Sequence, residues 1–162
     1  MVSANDYIGR QVDLLVLHPR DINVTDMPQE VALALALPAT GGTITAGLQK
    51  LAQRVFLELL QDAGSEPYFP ERGTGYLTEL RSGAVRTPAG LLSAFTRAAQ
   101  RAARNLVNEE LETDPADERL AQIQSQNVLF SGDYAGVTFT VTSQAGASAV
   151  YLLPANFSLG TV

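Results

Sequence analysis

Apolar residues follow two different periods along this chain. Val31, Leu33, Leu35 and Leu37 alternate strictly with Ala32, Ala34 and Ala36. A period of two predicts a strand with its large side chains on one face. The apolar run from Val12 to Leu17 is its expected partner, across the turn-rich segment His18-Pro19-Arg20-Asp21-Ile22-Asn23. Pro38 and Thr40-Gly41-Gly42 leave the alanine-rich run too short for a helix.

From Ala46 the period lengthens. Leu48, Leu51, Ala52, Val55, Phe56, Leu59 and Leu60 recur at three- and four-residue spacing, the stripe of an amphipathic helix. Thr45 is its expected N-cap and Gly64 its expected C-terminal stop. The segment 64–73, with two prolines and two glycines, interrupts any helix. A short helix is expected over Gly75 to Arg81. Thr87-Pro88 then opens the best-marked helix, because threonine caps free N–H groups and proline at the first position loses no hydrogen bond. Its apolar face runs from Leu91 through Phe95, Ala99 and Leu106 to Leu111. Asp114-Pro115 repeats the signal and predicts a further short helix through about Ile123.

The remaining residues read as β. Val128 to Phe130, a turn at Ser131-Gly132-Asp133 and Tyr134 to Thr142 form an expected hairpin. Val137, Phe139 and Val141 alternate with Thr138, Thr140 and Thr142, so one face is buried. Gln144-Ala145-Gly146-Ala147 turns the chain into a strand over Ser148 to Leu153, where Pro154 marks an end or a sheet edge. The expected fold class is α+β: a small core of three to four helices, an antiparallel C-terminal β-meander and an N-terminal strand pair.

With 162 residues, 46% of them hydrophobic and 17% charged, the chain has the balance of one globular domain. A net charge of −6, with Lys50 as the single lysine, predicts no nucleic-acid surface. The absence of cysteine excludes disulfides and thiolate metal sites. The N-terminus lacks the pattern of a signal peptide, no apolar run approaches a membrane span, and a soluble, cytoplasmically synthesised protein is expected.

Candidate chemistry is sparse. His18, the one histidine, precedes a proline in a turn and reads as a surface residue. Asp114, Asp117 and Glu118 are close in sequence, but acids in the first turn of a helix are expected to offset its dipole rather than bind metal. Gly41-Gly42 lacks the lysine of a phosphate loop. Glu66 with Glu71, or Glu109 with Glu110, could be paired as hydrolytic acids, though nothing in their spacing marks them. Arg97, Arg101 and Arg104 form a ridge near Glu109 and Glu112, expected to be solvated and ion-paired at helical spacing. No catalytic, metal-binding or cofactor site is expected.

One arrangement is less generic. Gly64, Pro67, Pro70 and Gly73 give the spacing Gly-x-x-Pro-x-x-Pro-x-x-Gly after a helix, and Asp117-Glu118-Arg119 follows the long helix ahead of the meander. The chain thereby resembles the sheath-initiator family of contractile phage-tail baseplates, which includes the T-even wedge protein and a type VI secretion counterpart. That family carries Glu-Pro-Arg where Asp117-Glu118-Arg119 stands; acid and arginine are kept, and Glu118 replaces proline. The resemblance covers about Gly47 to Leu153, implying an extension over 1–42 and a sheath-initiator-like domain over 43–162.

The resemblance implies a virion protein of the tail baseplate, without enzymatic activity. Its partners would be the sheath protein, the wedge proteins that Asp117, Glu118 and Arg119 contact, and the tail tube or hub, with copies arranged in a ring. No nucleic acid or membrane is among them. The uncharged strand Ala149-Val150-Tyr151-Leu152-Leu153 is the expected edge for sheath docking, since strand edges are extended through backbone hydrogen bonds. Two other readings remain open: a baseplate peptidoglycan hydrolase, and a type VI secretion or regulatory adaptor built on the same core.

Overall fold

The computed structural model describes residues 44–131 and 134–155 and the short stretches 13–14, 19–21 and 32–34, with side chains over 45–129 and 135–155. Strands β1 (Asp13–Leu14), β2 (Pro19–Asp21), β3 (Ala32–Ala34) and β4 (Ile44–Thr45) come first. Helices α1 (Gly47–Leu60), α2 (Tyr76–Arg81) and α3 (Pro88–Glu109) follow, and then β5 (Leu120–Ser131), β6 (Tyr134–Ser143) and β7 (Ser148–Pro154). The protein is α+β, as its periodicities predict.

Helix α3 starts where Thr87 and Pro88 place it. Thr87 Oγ1 accepts the Gly90 N–H at 3.0 Å, and Pro88 occupies the first turn. Leu91, Ala94, Phe95, Ala98, Ala99, Ala102 and Leu106 are buried along one stripe. The alanines let the helix lie close to α1 and to the β5–β6 hairpin. Helix α1 begins one residue later than expected: Ala46 is its N-cap, with no side-chain cap, and Thr45 belongs to β4. It ends at Leu60 with Gln61 as C-cap, before Gly64.

Antiparallel pairing joins β5 to β6 and β6 to β7. Val137, Phe139 and Val141 face the helices and are fully buried. An aromatic cluster seals the two layers. Phe139 meets Phe56 at 5.5 Å and Phe95 at 5.1 Å between ring centroids, and Tyr151 lies 5.5 Å from Phe56. Leu152 alternates with Tyr151 and Leu153 along β7 and is also fully buried, so at β7 both faces of the sheet are covered.

Three expectations are corrected. The helix expected from Asp114 to Ile123 is a pair of turns followed by a strand. Asp114 N–H bonds Leu111 O and Glu118 N–H bonds Pro115 O, and pairing with β6 then begins at Leu120. A strand twelve residues long gains a full backbone ladder there, which outweighs the local cap-and-proline preference. The two N-terminal apolar runs are not partners of each other among the described residues. Asp13–Leu14 pairs with Ile44–Thr45, and Ala32–Ala34 pairs with Pro19–Asp21, which lies inside the segment read as a turn. Finally, the sheet order is β2-β3-β7-β6-β5, so β7 is an interior strand. Ala32 stands opposite Tyr151 in parallel pairing.

Tyr76 is the largest fully buried side chain, edge-on to Phe95 at 6.1 Å, and its hydroxyl lacks a hydrogen-bond partner among the described residues. Desolvation raises the pKa of Tyr76 above the usual tyrosine range and pushes that of Tyr151 up to about 12. Both rings therefore keep their protons in the folded state at pH values where an unfolded chain releases them, near pH 10. Their contribution to stability is complete below about pH 10 and is lost as pH rises toward about 12. Denaturant unfolding at about pH 9 and about pH 11 should show the fall. Removing the unpaired hydroxyl by Tyr76→Phe should leave stability unchanged or raise it, whereas Tyr76→Ala should cost about 3–5 kcal/mol in the same assay.

Candidate functional site

The residues singled out by the sequence fall into two places, one at each end of α1. At its N-terminus the α3–β5 connection passes beneath the helix and delivers Asp117-Glu118-Arg119. Glu118 is 4% exposed. Its Oε1 accepts the Gly47 N–H at 3.1 Å and its Oε2 pairs with Lys50 Nζ at 2.7 Å. A carboxylate on the first N–H groups of a helix satisfies donors that have no intrahelical partner and lies favourably in the helix dipole. Glu118 is thus a buried structural cap for α1.

The neighbouring β6–β7 turn holds this segment in place. Gln144 N–H donates to Arg119 O at 2.9 Å and Ala145 N–H to Ala116 O at 3.0 Å. Asp117 and Arg119 are half-buried. Arg119 Nε is buried and has no hydrogen-bond partner among the described residues. A guanidinium donor out of water without an acceptor carries a desolvation cost, and the half-buried side chain still reaches solvent in part.

At the other end of α1 the loop 61–75 carries Gly64, Pro67, Pro70 and Gly73. Phe69 N–H bonds Glu66 O and Arg72 N–H bonds Phe69 O, so two consecutive turns each hold proline at their second position. That position has the φ to which the pyrrolidine ring is locked. Gly73 has φ +82°, and a Cβ there would lie 2.5 Å from Gln61 O. The close approach lets Thr74 N–H bond Gln61 O at 2.9 Å.

A buried carboxylate anchors this loop to two helices. Glu58 Oε2 accepts the Gly73 N–H at 3.0 Å and Asn105 Nδ2 at 2.9 Å, and the Asn105 amide also reaches Glu71 O. Arg72 grips Glu109 with both ends of its fork, at 2.7 and 2.6 Å, and lies 5.1 Å from the Phe69 ring centroid. The hydrogen bond to Glu109 raises the Arg72 pKa, with burial acting in the opposite sense. Glu58, Arg72 and Asn105 belong to no motif in the sequence. The available signal was a glutamate three residues after Val55 and seven after Leu51, inside an apolar stripe.

The remaining candidates are not gathered into a site. Glu109 is held by Arg72, and Glu110 Oε1 accepts the Leu120 N–H at 2.6 Å, so both acids of that pair have structural partners. Glu66 accepts Gln61 Nε2 at 3.1 Å on the loop. Asp114 Oδ2 accepts the Leu111 N–H at 2.9 Å in a turn. Arg97 donates to Ser93 Oγ on its own helix at 2.8 Å and forms its ion pair across to Glu79 on α2. Among the described residues no group of His, Cys, Asp and Glu could hold a metal ion, and no helix is long and apolar enough to cross a membrane. His18, Gly41 and Gly42 lie outside the described residues.

The two loop glycines provide a controlled comparison. Gly64 (φ +78°) has open space around it, whereas Gly73 combines a left-handed φ with a backbone clash. Gly64→Ala should cost about 1–2 kcal/mol from backbone strain alone. Gly73→Ala should cost more, about 3 kcal/mol or above, because the bond to Glu58 is lost as well. Urea unfolding of the two variants checks the order.

The chain matches no protein-family model, and comparison with curated proteins and with solved structures returns no match.

Proposed function

We propose that this chain is a structural component of a contractile-tail baseplate, located in the virion, that joins the wedge proteins to the first sheath ring and starts sheath polymerisation. The reading rests on the loop spacing, on the α+β order and on Asp117-Glu118-Arg119 in the place of the family's contact motif. The observation that carries it is Arg119. Its backbone is tied to the β6–β7 turn and its side chain is half-buried, while its Nε has no acceptor among the described residues. A carboxylate or carbonyl from a wedge protein would meet the part of the half-buried side chain that reaches solvent, and a charge-assisted hydrogen bond contributes about 1.5–3 kcal/mol.

Sheath docking by strand addition needs an unpaired edge. With β7 interior, the role expected of Ala149 to Leu153 passes to β5, which ends the sheet order on the side away from β3. Residues 120–131 carry no charge and no proline that would block pairing. Register shifts at Leu120/Gln122 and Ser125/Asn127 confine a regular added ladder to the stretches between and beyond them.

Arg119→Ala separates assembly from folding. It leaves the Arg119 backbone bonds in place, so a cooperative melt within about 1 kcal/mol of the parent is expected, together with failure to enter the baseplate. Glu118→Ala should behave in the opposite way, losing about 3 kcal/mol or more because the buried Gly47 N–H loses its acceptor and Lys50 loses a close counter-charge. The measurements are thermal unfolding of each variant and negative-stain imaging of tails assembled with it. An unfolded Arg119→Ala protein, or one that assembles normally, would overturn the assignment.

A further inference from the structure

Tyr68 is 87% exposed, the most exposed of the described large hydrophobic side chains, and Phe69 beside it is 48% exposed. Aromatic rings in water are common on mobile loops, but this loop is braced along its whole length. Two proline turns shape its tip, Arg72 clamps it to Glu109, and Asn105 and Glu58 hold its return through Glu71 O and the Gly73 N–H. None of these contacts involves the Tyr68 side chain. The bracing fixes the backbone that presents a ring the fold itself does not use.

Such a ring loses little conformational freedom on binding, and buried tyrosines are among the residues that dominate interface energetics. Charge indicates the kind of surface it fits. The Arg72 cation is engaged by Glu109, with Glu58 at 3.9 Å. Glu66 and Glu71 flank the tip, and Glu71 is exposed with no ion pair among the described residues. The tip is thus an apolar projection with an acidic collar. A second copy of this chain would bring the same acidic collar and a net charge of −6, which disfavours self-docking.

We propose that Tyr68, supported by Phe69, is an anchor that inserts into an apolar pocket with a basic rim on a neighbouring protein of the assembly. This rests on the baseplate reading above but uses a surface at the opposite end of α1 from Arg119. Pro67 and Pro70 are then positioning residues, and the Gly-x-x-Pro-x-x-Pro-x-x-Gly spacing exists to present the ring between them.

The experiment adds purified chain to tails assembled in an extract that lacks it, and measures the concentration giving half-maximal sheathed tails. Tyr68→Ala should need about 30-fold more protein, the loss that goes with an interface anchor. Tyr68→Phe should match the parent, and Glu71→Lys should also weaken complementation. All three should melt with the parent, because Tyr68 and Glu71 are exposed. A photo-crosslinking residue at 68 should capture a different tail protein. Parental behaviour of Tyr68→Ala, or a crosslink only to a second copy, overturns the anchor and leaves the baseplate reading intact. Failure of the parent chain itself to complement overturns both.

Discussion

Helix α1 can be buried only because two buried carboxylates are matched with donors, one delivered to its first turn from elsewhere and one carried by the helix itself near its other end. Its N-cap, Ala46, has no side chain that can accept a hydrogen bond. Glu118 supplies the missing acceptor from 71 residues away and pairs with Lys50 as it does so. Near the other end Glu58 faces inward from α1 itself and accepts from Gly73 and Asn105. An unpaired backbone N–H or carboxylate at either place would cost several times the net value of an average hydrogen bond. The path of the chain before and after α1 follows from meeting those two demands.

The first demand shapes the α3–β5 connection. To bring Glu118 under α1, the chain must leave α3 at Glu110, turn twice and enter β5 at Leu120. The Asp114-Pro115 pair starts one turn and no more. The second demand shapes the loop. Gly73 has to approach the end of α1 closely, and once it does, Arg72 and Glu109 come within range and the proline turns project away from the body. Two surface features follow, both proposed as partner contacts: Arg119 beside the capping glutamate, and Tyr68 at the tip of the anchored loop.

The aromatic cluster supplies cohesion of a different kind. Phe56, Phe95, Phe139 and Tyr151 come from two helices and two strands and meet at centroid distances of 5.1 to 6.0 Å. Rings in that range add attraction beyond the area they bury. The cluster fixes how the helical layer lies on the sheet but is indifferent to what happens at the ends of α1. Polar anchoring and apolar packing therefore have separate jobs here, and substitutions in one should perturb the other little.

The sequence by itself determined the elements whose signals are local. The stripe of α1, the Thr87-Pro88 start of α3 and the alternation from Val137 to Thr142 are each set by side chains within a few residues of one another, and all three lie where their patterns put them. The end of β5, Val128 to Phe130, is legible as a hairpin arm, but its first part was hidden because register shifts after Leu120 and Ser125 break the alternation twice, leaving Asp114-Pro115 as the strongest nearby signal. The buried role of Glu118 was equally illegible. Nothing near residue 118 shows that a helix 71 residues earlier lacks a cap. The interior position of β7 depended on which strand arrived beside it, and Ala32 carries no mark of Tyr151 in its own neighbourhood. Pairing across the sheet and satisfaction of buried polar groups are long-range conditions, so only the tertiary structure decided them, and with them which candidate residues stay exposed and which hold the protein together.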